Sequence, residues 1–190
     1  MKTDIKLAGV GGQGILSIAT VIGQAATASG RHLKQAEVHG MSQRGGAVES
    51  DLRLSDEEIY SDQIALGTAD LIVSMEPMEA LRYLPYLASD GVVVTSSTPF
   101  VNIPDYPSEE KLRADWKTLP RVAQQDIDRI AREQAAPKSA NMVLLGMAAR
   151  YLKILPPQAL REAIRTVFAR KGDKVVEDNL KAFDAGYESI

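Results

Sequence analysis

Residues Gly9, Gly11 and Gly14 fall in the spacing G-x-G-x-x-G, with Gly12 as an extra glycine and Gln13 directly before the third. The chemistry this pattern suits is anion binding. Glycines permit a tight turn and close approach of the backbone, and a following helix offers unpaired N–H groups that favour phosphate. A second cluster, "EVHGMSQRGGAVES", gathers His39, Gln43, Arg44 and Gly45 within seven positions. An arginine beside flexible glycine backbone can grip a carboxylate or phosphate with both arms of its guanidinium. A histidine titrates near neutral pH and can relay a proton. Each feature also has a plainer use: a ligand-free turn, a surface ion pair for Arg44, a hydrogen bond within its own loop for His39. Ser42 lacks an evident base, which argues against a nucleophile.

The flanks of the glycine pattern suit a nucleotide site in part. "DIKLAGV" reads as a strand and "ILSIATVIGQAA" as a helix, and Glu37 lies about twenty positions downstream, where a ribose-binding carboxylate belongs. Two observations count against a dinucleotide. The bulky amide of Gln13 either points into the anion space or turns towards a partner. Glu37, moreover, leads into a glycine-bearing loop and not into the helix that a nucleotide half requires. The cofactor loop and the empty turn both stay open on these residues alone.

Bulk properties narrow the classes. The 190 residues carry a net charge of −3, without the basic excess of a nucleic-acid binder. Apolar residues make up 45% and charged residues 25%, the balance of an ordinary soluble domain. No apolar run reaches the ~20 residues of a membrane span, and no signal peptide is evident, so the expectation is a cytoplasmic protein with no membrane partner. The count of cysteines is zero. That excludes a disulfide framework, a thiol nucleophile and an ordinary iron–sulfur cluster on this chain. Two histidines, His32 and His39, make a histidine-rich metal site an unpromising reading. Redox chemistry then needs an organic cofactor or another polypeptide.

The elements that must position these residues alternate in period. Ile5–Val10 reads as a strand; Ile15, Ile18, Ala19, Ile22 and Ala26 share a helical face that Gly30 ends. "HLKQAEV" and "AVESDLRLS" read as strands around the second loop. "ADLIVSM" and "GVVVTSS" are the near-continuous apolar strands of a parallel sheet. Pro77 opens a helix expected to carry Leu81, Leu84 and Leu87, with Glu76 and Glu79 favouring its positive end. The hydroxyls of "SSTP" lie where a sheet edge binds ligands, although turn formation is their commoner use. Residues 98–120, broken by Pro99, Pro104, Pro107 and Pro120, read as an irregular excursion, with Tyr106 and Trp116 as candidate lid or interface residues. Helices follow, with Asp126 and Ser139 as caps, Asn141 able to cap or bridge elements, and apolar faces at Val143–Tyr151, Leu160–Phe168 and Val176–Phe183. The expected architecture is α/β: a single Rossmann-like domain over 1–190, with an open, mostly parallel sheet flanked by helices and a helical C-terminal portion.

In combination, "GVGGQGILSIATVIGQAA", "EVHGMSQRGGAVESDLRLS", "ADLIVSMEPMEALRYLPYL" and "SANMVLLGMAA" resemble the gamma-type module of the 2-oxoacid:ferredoxin oxidoreductases, and its aryl-pyruvate branch most closely. The resemblance is firmest over 5–54 and 141–149 and thinnest over 98–132. It implies a small subunit of an enzyme that decarboxylates a 2-oxoacid, forms an acyl-coenzyme A and reduces ferredoxin. Thiamine diphosphate and the iron–sulfur clusters would then sit on a large alpha subunit, and this chain alone would be inactive. The turn at Gly9, Gly11, Gly12 and Gly14 would lie near the subunit interface or the coenzyme A path. Gln13, His39, Gln43, Arg44 and Gly45 would face the partner or the substrate channel, with Arg44 the best candidate for a phosphate or carboxylate. A free-standing NAD(P)-binding Rossmann oxidoreductase and a non-catalytic scaffold are the alternatives.

Overall fold

The structure is a computed structural model that describes residues 1–40, 45–134 and 136–190. Six strands form one sheet: β1 (Lys2–Val10), β2 (His32–His39), β3 (Ala47–Ser55), β4 (Ala69–Ser74), β5 (Leu87–Ser96) and β6 (Val122–Gln125), in the order β2-β3-β1-β4-β5-β6. β1, β4, β5 and β6 pair in parallel, whereas β3 runs antiparallel to both β1 and β2. The alternation in "AVESDLRLS" forms this reversed strand. β2 and β3 make a hairpin, and β3 takes the place beside β1 that β2 holds in a dinucleotide half.

One sheet face is covered by α1 (Ile15–Ala28) and α5 (Ala140–Ala149); α6 (Pro157–Phe168) packs on α1, and α4 (Ile127–Glu133) and α7 (Asp173–Glu188) are packed around α5. Ile5 and Leu7 of β1 enter this main core together with Ile18 and Ile22 of α1. Every residue of α5 except Asn141 is buried, as befits a helix apolar on all sides. Its contact with α7 is set by two glycines. A Cβ on Gly146 would lie 2.0 Å from the Phe183 carbonyl oxygen, and one on Gly186 would lie 2.0 Å from that of Val143. The two backbones therefore touch. No helix among the described residues is long and apolar enough to cross a membrane.

The opposite face differs along the sheet. Over β4 and β5 it is apolar, where Ile72 and Val93 meet Ala80 of α2 (Pro77–Arg82), with Trp116 and Leu119 alongside. Over β1 and β3 it is charged. The buried Lys6 ammonium contacts Asp51 at 2.8 Å and Glu49 at 2.9 Å, beneath the rings of Tyr83 and Tyr86. Burial pulls the Lys6 pKa down, but hydrogen bonds to Asp51 and Glu49 outweigh it and leave the group above its ordinary value. Asp4, with no side-chain exposure, is held beside it by Arg53 at 2.9 Å.

Three local expectations need correction. The helix begun at Pro77 stops at Arg82; Leu84–Tyr86 form a 3-10 turn, and Leu87 opens β5. Pro85 in the next turn explains the stop, because it cannot donate to a helical carbonyl. The irregular segment contains α3 (Glu109–Lys117), capped by Ser108, whose hydroxyl accepts from the Lys111 amide. A short sixth strand follows it, lost in the sequence because only four residues pair at the sheet's edge. Ser139 occupies the cap position of α5 but makes no capping hydrogen bond, whereas Asp126 accepts from the Arg129 amide at 2.8 Å as expected.

Candidate functional site

Strands β1, β2, β4, β5 and β6 all end at one edge of the sheet, and both sequence loops lie there. After Val10 the chain turns through Gly11–Gly14 into α1. Gly12 and Gly14 adopt φ of 101° and 87°, backbone that side chains rarely take. Gly14 caps α1 without a side-chain partner, and no acidic residue stands in the first turn, so the helix end keeps its positive potential. Gln13 does not point away from the turn. Its Oε1 accepts from the Val10 amide at 2.8 Å and closes the loop on itself. Gly9 leaves room for this arrangement: a Cβ there would lie 3.1 Å from that oxygen and 2.9 Å from Ile15.

The second loop is clasped to the first. The Gly11 amide donates to the Gly46 carbonyl at 2.8 Å, and the Gly45 amide donates to the Gly11 carbonyl at 3.3 Å. Asn102, from the segment after β5, donates to the Gly45 carbonyl at 2.8 Å and joins a third loop to the pair. Gly11, Gly12, Gly14, Glu37 and His39 line one cleft of about 410 Å³. The structure thus brings together glycines, acid and imidazole that lie far apart in sequence. Glu37 reaches this cleft from the far side of β3, two strands away from β1. His39 is exposed, with Nδ1 3.1 Å from the Gly40 carbonyl, the hydrogen bond within the loop. Ser42, Gln43 and Arg44 lie outside the described residues.

Glu76 carries more than the helix dipole. Fully buried, it accepts from the Glu79 amide at 2.9 Å as the cap of α2, and from the Phe100 amide at 3.3 Å. It also accepts from the Tyr106 hydroxyl. Burial, then the hydrogen bond to Glu76, pushes the Tyr106 pKa up. The loop from Thr98 to Pro107 is therefore pinned at Glu76 and at Gly45, with Val101 exposed between them. Ser96 forms the expected turn, accepting from the Thr98 amide at 3.0 Å. Beneath this loop lies a cavity of about 270 Å³, lined by Gln13, Asn141, Lys138 and Phe100 among others. Asn102 and the pinning role of Glu76 were not foreseen; single polar residues in irregular sequence carry no periodic signal. Trp116 packs on the smaller apolar cluster.

A mixed α/β sheet with a glycine turn locked to a hairpin tip at its carboxyl edge defines a Rossmann-like module with one strand inserted beside β1. The chain belongs to the pyruvate ferredoxin/flavodoxin oxidoreductase family, whose profile matches residues 4–189. It is 35% identical to the indolepyruvate oxidoreductase subunit IorB of Pyrococcus horikoshii, over 98% of this chain and 95% of that one. The gamma subunit of keto/oxoacid ferredoxin oxidoreductase from Geobacter sulfurreducens superposes with a TM-score of 0.70 at 25% identity, covering 98% of this chain and 96% of the other. The same fold, at 23% identity and a TM-score of 0.72, occupies 30% of a chain of 2-oxoglutarate:ferredoxin oxidoreductase from Magnetococcus marinus, with this chain covered over 98%. That structure holds 2-oxoglutarate, coenzyme A and succinyl-CoA.

Proposed function

We propose that this chain is the small subunit of an indolepyruvate:ferredoxin oxidoreductase. The complex would convert an aryl pyruvate and coenzyme A to aryl-acetyl-CoA and carbon dioxide, passing two electrons to ferredoxin. The observation that carries this reading is similarity along nearly the whole of both chains to an indolepyruvate oxidoreductase subunit. The chemistry of this chain supports the division of labour. It has no cysteine thiolate to ligate an iron–sulfur cluster. The resemblance to the family implies that thiamine diphosphate, like the clusters, sits on the partner. Both groups are assigned to a large alpha subunit.

What this chain supplies is a preformed surface. The glycine turn, the hairpin tip and the pinned loop 98–107 form one hydrogen-bonded edge. An uncapped helix end free of acids suits a phosphate of coenzyme A or a carboxylate of the partner. In this reading Gly9, Gly11, Gly12, Gln13 and Gly14 shape that surface, while His39, Gln43, Arg44 and Gly45 meet the partner or the substrate path.

The dehydrogenase alternative is not favoured. Its ribose-binding acid belongs on a strand adjacent to β1, and that place is taken by β3. Co-expression with the large thiamine subunit is expected to give a complex that survives size-exclusion chromatography. The chain alone is expected to show no saturable binding of NADH or NADPH. Separate elution of the two subunits, together with NADH saturation of this chain, would reverse the assignment.

A further inference from the structure

We propose that Asn141 is a positioning residue for the glycine turn, coupling the rigid α5–α7 pair to the surface the complex uses. The geometry has three parts. Asn141 is the one residue of α5 that is not buried, and its Nδ2 donates to the Gly14 carbonyl at 3.2 Å. Gly14 stands at φ 87°, and any Cβ there would lie 2.6 Å from the same Nδ2, so glycine and amide fit each other across 127 positions of sequence. On its other side the turn is held by Gln13, whose Oε1 takes the Val10 amide. The turn is thus bracketed by two amides. Gly12 is left as its open apex, where an added Cβ would meet nothing within 4 Å.

The bracket is anchored in the least deformable part of the molecule. α5 is buried along its length and touches α7 backbone to backbone at Gly146 and Gly186. A shift of α5 is therefore passed to Gly14, and through Gly11 to the hairpin tip at Gly45 and Gly46. Close-packed elements move as units and not by gradual deformation.

The role given to Asn141 rests on reading the glycine turn as the surface used in the complex. Asn141→Asp is the sharp variant. It keeps the shape and places a carboxylate in the first turn of α5, which the helix dipole favours, but it cannot donate to the Gly14 carbonyl. Asn141→Ala removes the group altogether. Both are to be made in the full chain, probed by hydrogen exchange, and reconstituted with the large subunit for kinetics. The expected result is faster exchange confined to residues 11–16, with α5 and α7 unchanged. In the complex, the KM for coenzyme A is expected to rise about five-fold, the worth of one neutral hydrogen bond, at unchanged kcat. Unchanged exchange in the turn, or an unchanged KM in an active complex, would overturn the proposal. If wild-type complex shows no turnover dependent on coenzyme A, the functional reading fails, and the exchange pattern alone decides whether Asn141 positions the turn.

Discussion

The amide of Gly11 donates to the carbonyl of Gly46 at 2.8 Å, and this bond ties together the two loops that the sequence marks as unusual. The returning bond from Gly45 to the Gly11 carbonyl makes the junction a short two-sided clasp. The glycine turn has committed part of its backbone to the hairpin tip, and the hairpin exists because β3 is inserted beside β1. Topology and loop chemistry are one adaptation.

The two positive-φ glycines of the turn are expected to respond differently to the same change. Gly12→Ala meets only backbone strain and should cost ~1 kcal/mol. Gly14→Ala adds a 2.6 Å approach to the Asn141 amide and should cost ~2–3 kcal/mol. Urea midpoints of the two variants, at unchanged m-value, check the order. Equal losses would mean that Asn141 yields freely.

Lys6 is the buried cation on which the charged sheet face depends. Lys6→Met leaves Asp51 and Glu49 facing each other without compensation and is expected to destabilise the chain by ~3–5 kcal/mol at neutral pH. Denaturant unfolding measures it. A loss below ~1 kcal/mol would show that water solvates the pair more fully than their burial indicates.

Alkaline stability follows from Lys6, Tyr83 and Tyr106, all raised above their ordinary values. A raised folded-state pKa contributes stability that is complete below the unfolded value and is lost as pH climbs through the folded one. Stability is therefore expected to hold through neutrality and to fall above pH ~10, where an unfolded tyrosine gives up its proton. Tyr106→Phe should remove part of that alkaline slope and leave the neutral region with a smaller, pH-independent loss. A slope unchanged by the substitution would place the titration elsewhere.

Much of the fold was legible because it rests on period. The apolar run of β4 and the 3.6-residue face of α1 follow burial directly, and so declare themselves; β3 reads as a strand from its alternation, although Ser50, Asp51 and Leu52 are buried in succession. Order in the sheet did not, since nothing local tells "AVESDLRLS" to lie between β1 and β2. The candidate site was half legible. Glycine at positions 11, 12 and 14 announced a tight turn, but the groups that fix it come from far along the chain: Asn141, Gly46 and, through Gly45, Asn102. Glu76 shows the same limit. Its place at the start of α2 was readable from Pro77, while its cap on the Glu79 amide and its hold on Tyr106 were not.

Glu76→Ala is expected to release that loop. It removes the α2 cap and two anchors of residues 98–107 at once, for a loss of ~2–3 kcal/mol. Limited proteolysis should then cut between Thr98 and Pro107 in the variant and spare the wild type. Equal resistance in both would assign the loop's order to its prolines and to Asn102 instead.

As the proposed small subunit of a ferredoxin-reducing 2-oxoacid enzyme, this chain is needed for the turnover of the complex. Ferredoxin reduction, measured with the large subunit, indolepyruvate and coenzyme A in the presence and absence of this chain, tests it most directly. The expected result is rapid reduction only when both chains are present, with no activity from this chain alone. Full activity of the large subunit by itself would contradict it.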